Sequence, residues 1–148
     1  LPSILAPAVV DSRERPVPAP FMRKLVYVED NADAREVMSA LLRTVGYEVV
    51  EIALGAAALP AAIATQPDAM VVDIGLPDID GYEVARRIRA NLSTQATAII
   101  ALTGYGQLPD NHAALQSDFD AYLVKPVDIF DLTKKIEEIL AKTHRPAN

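Results

Sequence analysis

The chain has 148 residues, 51% hydrophobic and 23% charged, which is the length and balance of one ordinary globular domain. A formal charge of −6 and a pI near 4.8 argue against nucleic acid, which demands a basic surface. There is no cysteine, and imidazole could come only from His112 and His144, so disulfides, thiolate sites and thiol nucleophiles are excluded. Any metal site must be built from oxygen, which favours a hard cation such as Mg²⁺.

Five of the eleven prolines (Pro2, Pro7, Pro16, Pro18, Pro20) lie in the first twenty residues, so residues 1–22 read as an extended linker. Leu1 to Val10 is apolar, but Pro2 and Pro7 break it and no basic leader precedes it, which makes a poor signal peptide. No stretch approaches the ~20 apolar residues that cross a bilayer, so no direct membrane contact is expected. The folded domain should run from Arg23 to His144, leaving 145–148 as a tail.

From there apolar runs alternate with helical patterns. Lys24 to Val28 predicts a first strand, followed by a helix whose Val37, Leu41 and Val45 recur every four residues and which Gly46 closes. Tyr47 to Ala53 predicts a second strand, and an Ala-rich helix follows to about Thr65, with Pro60 an awkward occupant. Asp68 to Asp73 is the third strand. The next helix opens at Asp80 with Glu83 three residues on, a capping-box arrangement; it should bury Val84, Ile88 and Leu92 and turn Arg86, Arg87 and Arg89 to water. Thr97 to Leu102 is a fourth strand, Pro109 suits the first turn of a fourth helix, and Ala121 to Val124 is a short fifth strand. The last helix carries Ile129, Leu132, Ile136, Ile139 and Leu140 on one face. Five strand–helix repeats imply an α/β protein with a doubly wound, five-stranded parallel sheet and helices on both faces.

In such a sheet the carboxyl ends of the strands share one edge, where ligands bind. Glu29 and Asp30 follow the first strand, Asp73 ends the third, Thr103 follows the fourth and Lys125 the fifth. Each alone could be a cap, a turn residue or a solvated charge. Together they form a chemical set. Two carboxylates ~5 Å apart repel by about 3 kcal/mol at an effective dielectric near 20, so three gathered together keep a proton or hold a cation. Carboxylates, a divalent cation, an ammonium and a hydroxyl suit phosphoryl transfer.

Four motifs in order, Val28-Glu29-Asp30, Asp73-Ile74-Gly75-Leu76-Pro77-Asp78-Ile79-Asp80-Gly81, Leu102-Thr103-Gly104 and Val124-Lys125-Pro126, resemble those of the response-regulator receiver domain. The resemblance covers about Lys24 to Lys142 and implies a flavodoxin-like strand order of 2-1-3-4-5. It further implies that Asp73 takes a phosphoryl group from a phosphohistidine of a histidine kinase or histidine phosphotransfer domain. Asp30 and Asp73 would ligate Mg²⁺ with the backbone carbonyl of Gly75, and Glu29 would act through a water. Lys125 and Thr103 would contact the phosphoryl group, Pro126 would follow a cis peptide, and Tyr122 would be the aromatic that moves with Thr103 as the domain switches. By the same analogy the partner docks near Asn31 to Glu36, and the fourth helix, fifth strand and fifth helix form the output or homodimer surface. The implied compartment is the cytoplasm, and the implied chemistry is confined to the domain's own phosphorylation and dephosphorylation.

The chain departs from the commoner pattern at Glu29, where Asp is frequent, at Val127, where Phe is frequent, and at Asp118, where a Gly usually ends the fourth helix. Gly75 and Tyr105 stand two residues beyond Asp73 and Thr103, at positions that tune water access to the phosphoryl group. Three other readings compete. A flavodoxin-like FMN carrier is disfavoured because Glu29-Asp30-Asn31 would repel the flavin phosphate. A haloacid-dehalogenase-type phosphatase needs a second Asp where Gly75 stands. A receiver fold signalling by surface contacts alone would not need the complete site. Similarity to receivers at the ends of hybrid sensor kinases, with a Pro-rich leader, no initial Met and few residues after the last helix, makes a terminal receiver of such a kinase the expectation over a free-standing regulator.

Overall fold

The computed structural model describes residues 22–104 and 118–143. The strands are β1 (Lys24–Val28), β2 (Glu48–Ile52), β3 (Ala69–Asp73), β4 (Ala98–Thr103) and β5 (Ala121–Val124). All four pairings are parallel, in the order β2-β1-β3-β4-β5. This is the doubly wound sheet expected from the alternation, in the flavodoxin-like order that the resemblance implies. Every residue of β3 and of β4 is buried, which explains their continuous apolar runs: a central parallel strand has helices on both faces.

Successive residues of a strand point to opposite faces, and the core divides accordingly. Val26, Met70, Val72 and Ile99 pack beneath α2 (Ala58–Thr65) and α3 (Gly81–Ala90), meeting Ala62, Val84 and Ile88. Leu25, Tyr27, Val71 and Ile100 pack beneath α1 (Ala32–Thr44) and the last helix (Ile129–Thr143), meeting Leu42, Leu132, Ile136 and Leu140.

Local signals set most helix ends. Asn31 caps α1 by accepting from the Ala34 amide at 2.8 Å, and Gly46 beyond it takes φ 108°, a conformation glycine adopts without strain. Asp80 caps α3, accepting from the Glu83 amide at 2.9 Å. The Glu83 side chain does not complete a capping box; it binds Arg86 and Arg87 instead. Pro60 is accommodated because a 3₁₀ turn (Gly55–Ala57) leads into α2, leaving it in the first helical turn, where its missing N–H has no intrahelical partner.

Two side-chain expectations, for Leu92 and Arg89, are corrected, and the apolar spacing in the first helix does not mark its buried face. Val37, Leu41 and Val45 are 60%, 41% and 47% exposed; α1 instead turns Ser39 and Leu42 to the sheet, with Arg35 and Met38 half-buried beside them. Leu92 is 86% exposed because α3 ends at Ala90 and Asn91 is extended, so the helical period stops short of it. Arg89 does not face water: it donates to the carbonyls of Gln95 and Thr97 and pairs with Asp120 at 3.0 Å. The expected helix from Pro109, with Tyr105 and His112, lies outside the described residues, as do the leader through Phe21 and the stretch from His144. Among the described residues no helix is long and apolar enough to cross a membrane.

Candidate functional site

The turn after β1 is only three residues long. The Glu29 amide still belongs to the sheet, donating to the Ile52 carbonyl at 3.0 Å, and Asn31 already caps α1. Glu29 and Asp30 are thereby placed at the carboxyl edge, Glu29 buried and Asp30 exposed. Asp73 ends β3 one strand away and is 4% exposed. Its Oδ1 accepts from the Gly75 amide at 3.0 Å, which holds the following turn against the carboxylate. A side chain at Gly81 would put Cβ 2.8 Å from both the Asp73 carbonyl oxygen and the Ile74 Cα, so only glycine lets α3 begin this close to the strand end.

Carboxylate oxygens of Glu29, Asp30 and Asp73 all lie within 4.8 Å of one another. The Lys125 ammonium bridges two of these groups, 3.0 Å from Glu29 Oε1 and 3.0 Å from Asp73 Oδ2. One cation thus faces three acids. Burial raises the Glu29 carboxyl above its ordinary range, and the Asp73 charge adds to this against hydrogen bonds from Asn31 and Lys125. For Lys125 burial pulls downward, but hydrogen bonds to Asp73 and Glu29 outweigh it and hold the ammonium above its usual value. An all-oxygen donor set with a solvent-facing member fits a hard divalent cation.

Thr103 is 1% exposed, ends β4 one residue beyond the level of Asp73, and directs Oγ1 to the Gly104 carbonyl at 3.2 Å. Its own carbonyl accepts from the Lys125 amide at 2.8 Å, tying two polar groups of this edge together through the main chain. The Lys125–Pro126 peptide is cis. Tyr122, half-buried on β5, packs its ring 5.1 Å from Phe119 and 6.5 Å from Tyr82, centroid to centroid. Glu29, Asp30, Asp73 and Lys125 are therefore drawn into one cluster, with Thr103 and Tyr122 on the adjoining strands. Beside it a groove of about 450 Å³ runs between α1 and the segment after β5, lined by Ala34, Val37, Met38 and Val127 and by Glu29 and Lys125 themselves.

Two supporting residues were not singled out from sequence. Asp78 accepts from the Gly55 and Ala56 amides at 2.9 and 2.8 Å, bracing the turn after Asp73 against the entry to α2; a carboxylate in a Pro-Asp turn gave no hint of that distant partner. Arg35 donates to the Glu29 carbonyl at 2.7 Å. Its place in the first helix was legible, but not the direction of its side chain.

The family model for the response regulator receiver domain matches residues 25–137. This chain belongs to that family. Among solved structures, it is similar to the magnesium-coordinated receiver domain of sensor histidine kinase PA1611 from Pseudomonas aeruginosa, with 34% identity and a TM-score of 0.73, covering 79% of this chain and 96% of that one. A response regulator from Chloroflexus aurantiacus is 33% identical with a TM-score of 0.74, covering 81% and 98%. Among curated relatives, the receiver is similar to the DNA-binding dual master transcriptional regulator RpaA of Synechocystis, 29% identical over 84% of this chain and 52% of the relative. The probable transcriptional regulator ycf27 of Guillardia theta is 33% identical over 84% and 48%. The chain thus spans about half the length of these two relatives.

Proposed function

We propose that Asp73 is the phospho-acceptor of this receiver, forming an aspartyl phosphate as the P–N bond of a partner's phosphohistidine breaks and a P–O bond forms. One observation carries the assignment: Asp73, which shares the acidic cluster and the Lys125 ion pair with Glu29, is the one that ends the central strand β3, beside the β4 end that carries Thr103. Asp30, Asp73 and the Gly75 carbonyl would hold Mg²⁺, with Glu29 acting through a water. Bound there, the cation supplies positive charge that offsets the acids and the incoming phosphoryl oxygens. Lys125 binds a phosphoryl oxygen as a point charge, and Thr103 contributes its hydroxyl. Tyr122 is the mobile aromatic that follows Thr103, and Pro126 shapes the turn behind Lys125.

The partner is a histidine kinase or histidine phosphotransfer domain, docking beside Asn31 to Glu36, where the neighbouring groove offers apolar surface. The acidic chain does not itself bind nucleic acid in this reading. The receiver unit spans 23–144 behind a linker, acts in the cytoplasm and belongs to a hybrid histidine kinase; homodimerisation through the expected fourth helix, which lies outside the described residues, the fifth strand and the fifth helix is its second surface. Labelling by a small acyl phosphate in the presence of Mg²⁺ tests the centre of the reading. Asp73→Ala is expected to abolish the label, and labelling that survives this substitution overturns the assignment.

A further inference from the structure

The turn after β1 leaves two carbonyls to be satisfied. The α1 ladder begins at the Asn31 carbonyl, which accepts from the Arg35 amide at 2.9 Å, so the carbonyls of Glu29 and Asp30 lie beyond its reach. Arg35 meets both: its Nη1 is 2.7 Å from the Glu29 oxygen and 3.4 Å from that of Asp30. The guanidinium is braced from behind by Glu51 of β2, 3.6 Å from Nε, and Glu51 is paired in turn with Arg43 at 3.0 Å. One planar fork therefore joins α1, β2 and the turn that presents two of the three clustered acids. Glu29 has further holds in Lys125 and the Asn31 amide. The Asp30 side chain has none among the described residues, so its main chain is what aims it.

Building on the cation site proposed above, we infer that Arg35 is a positioning residue for that site: it clasps the Glu29 and Asp30 carbonyls and so aims their carboxylates at Asp73. Charge and clasp have opposite signs here. As a positive charge Arg35 repels a divalent cation, so removing the charge alone tightens binding; as a clasp its removal loosens the donor set and weakens binding.

The test is a titration of the full chain with MgCl₂ at low ionic strength, followed by calorimetry and by the amide signals of Asp30 and Asn31. Arg35→Gln is expected to raise the Mg²⁺ dissociation constant by about tenfold, at the lower end of what outer-shell partners of metal sites contribute. Arg35→Lys, which keeps the charge but not the fork, is also expected to weaken binding. Tighter or unchanged binding in Arg35→Gln, or wild-type binding in Arg35→Lys, overturns the clasp. Should Arg35→Gln fail to fold, as its amide spectrum would reveal, the lysine variant decides alone. The underlying site fails separately: a wild-type chain that binds no Mg²⁺, or an Asp30→Asn variant that binds it as the wild type does, removes the cation site and the clasp with it.

Discussion

The two edges of the sheet use carboxylates in opposite ways. At the amino edge Asp68, Asp120 and Glu137 have donors of their own. Asp68 accepts from the Lys24 amide at 2.7 Å, Asp120 from the Ile99 amide at 2.8 Å and from Arg89 at 3.0 Å, and Glu137 from the Tyr47 hydroxyl at 2.6 Å and Arg23 at 3.0 Å. These acids staple strand starts and the last helix together. At the carboxyl edge Glu29, Asp30 and Asp73 crowd within 4.8 Å, and Lys125 pairs with only Glu29 and Asp73 of the three. The first arrangement relieves charge within the fold. The second leaves charge that, in the proposed function, a cation and a phosphoryl group would answer, so acids at the two edges should trade stability against function in opposite directions.

The largest stability effect should come from breaking a staple. Asp120→Ala leaves the Ile99 amide without its acceptor and Arg89 Nη2 without its carboxylate, and should lower stability by about 1–3 kcal/mol, while acyl-phosphate labelling of the folded variant stays near wild type. Denaturant melts paired with labelling read both, and loss of labelling without loss of stability would erase the contrast. A smaller effect of opposite sign is expected at the site. Asp73→Asn removes one of the repelling charges and should raise stability by about 1 kcal/mol in metal-free buffer, seen as a higher Tm, while labelling is lost. A lower Tm would mean that the Lys125 pair outweighs the repulsion.

The smallest effect is in the pH dependence. Glu29 titrates above its ordinary 4.5 in the folded state, so the folded chain holds this proton to higher pH than the unfolded one. Its contribution is fully favourable below 4.5 and is lost as pH rises through the raised value. In metal-free buffer the Tm of Glu29→Gln relative to wild type should therefore increase from pH 4 to pH 7, the two ends of the experiment. A flat or falling difference contradicts the raised value.

Where sequence and structure part company, the reason is azimuth. Along α1 and its C-cap Val45 the four-residue spacing of Val37, Leu41 and Val45 is real, but those residues are exposed while Ser39 and Leu42 face the sheet. The apolar residues straddle two sides of this helix, and periodicity alone does not say which side meets the sheet. Leu92 fails for a simpler reason: it lies past the end of α3, so its spacing from Ile88 no longer places it on the helical face. In the last helix, by contrast, Leu132, Ile136, Ile139 and Leu140 are all buried, because one broad apolar face opposes a polar one and leaves no ambiguity.

Short-range patterning was enough for the strand–helix alternation, the cap at Asp80, the turn at Gly46, and which polar residues reach the carboxyl edge. These follow from short-range periodicity, backbone preference and the fact that parallel strands share a direction. Only the tertiary structure decided that Lys125 bridges Glu29 and Asp73, that Asp78 reaches Gly55, and that Arg35 turns inward onto the Glu29 and Asp30 carbonyls. Each of those contacts joins separate elements, so each depends on how a helix is rotated on the sheet and where a turn is held. Local patterning leaves both of these open.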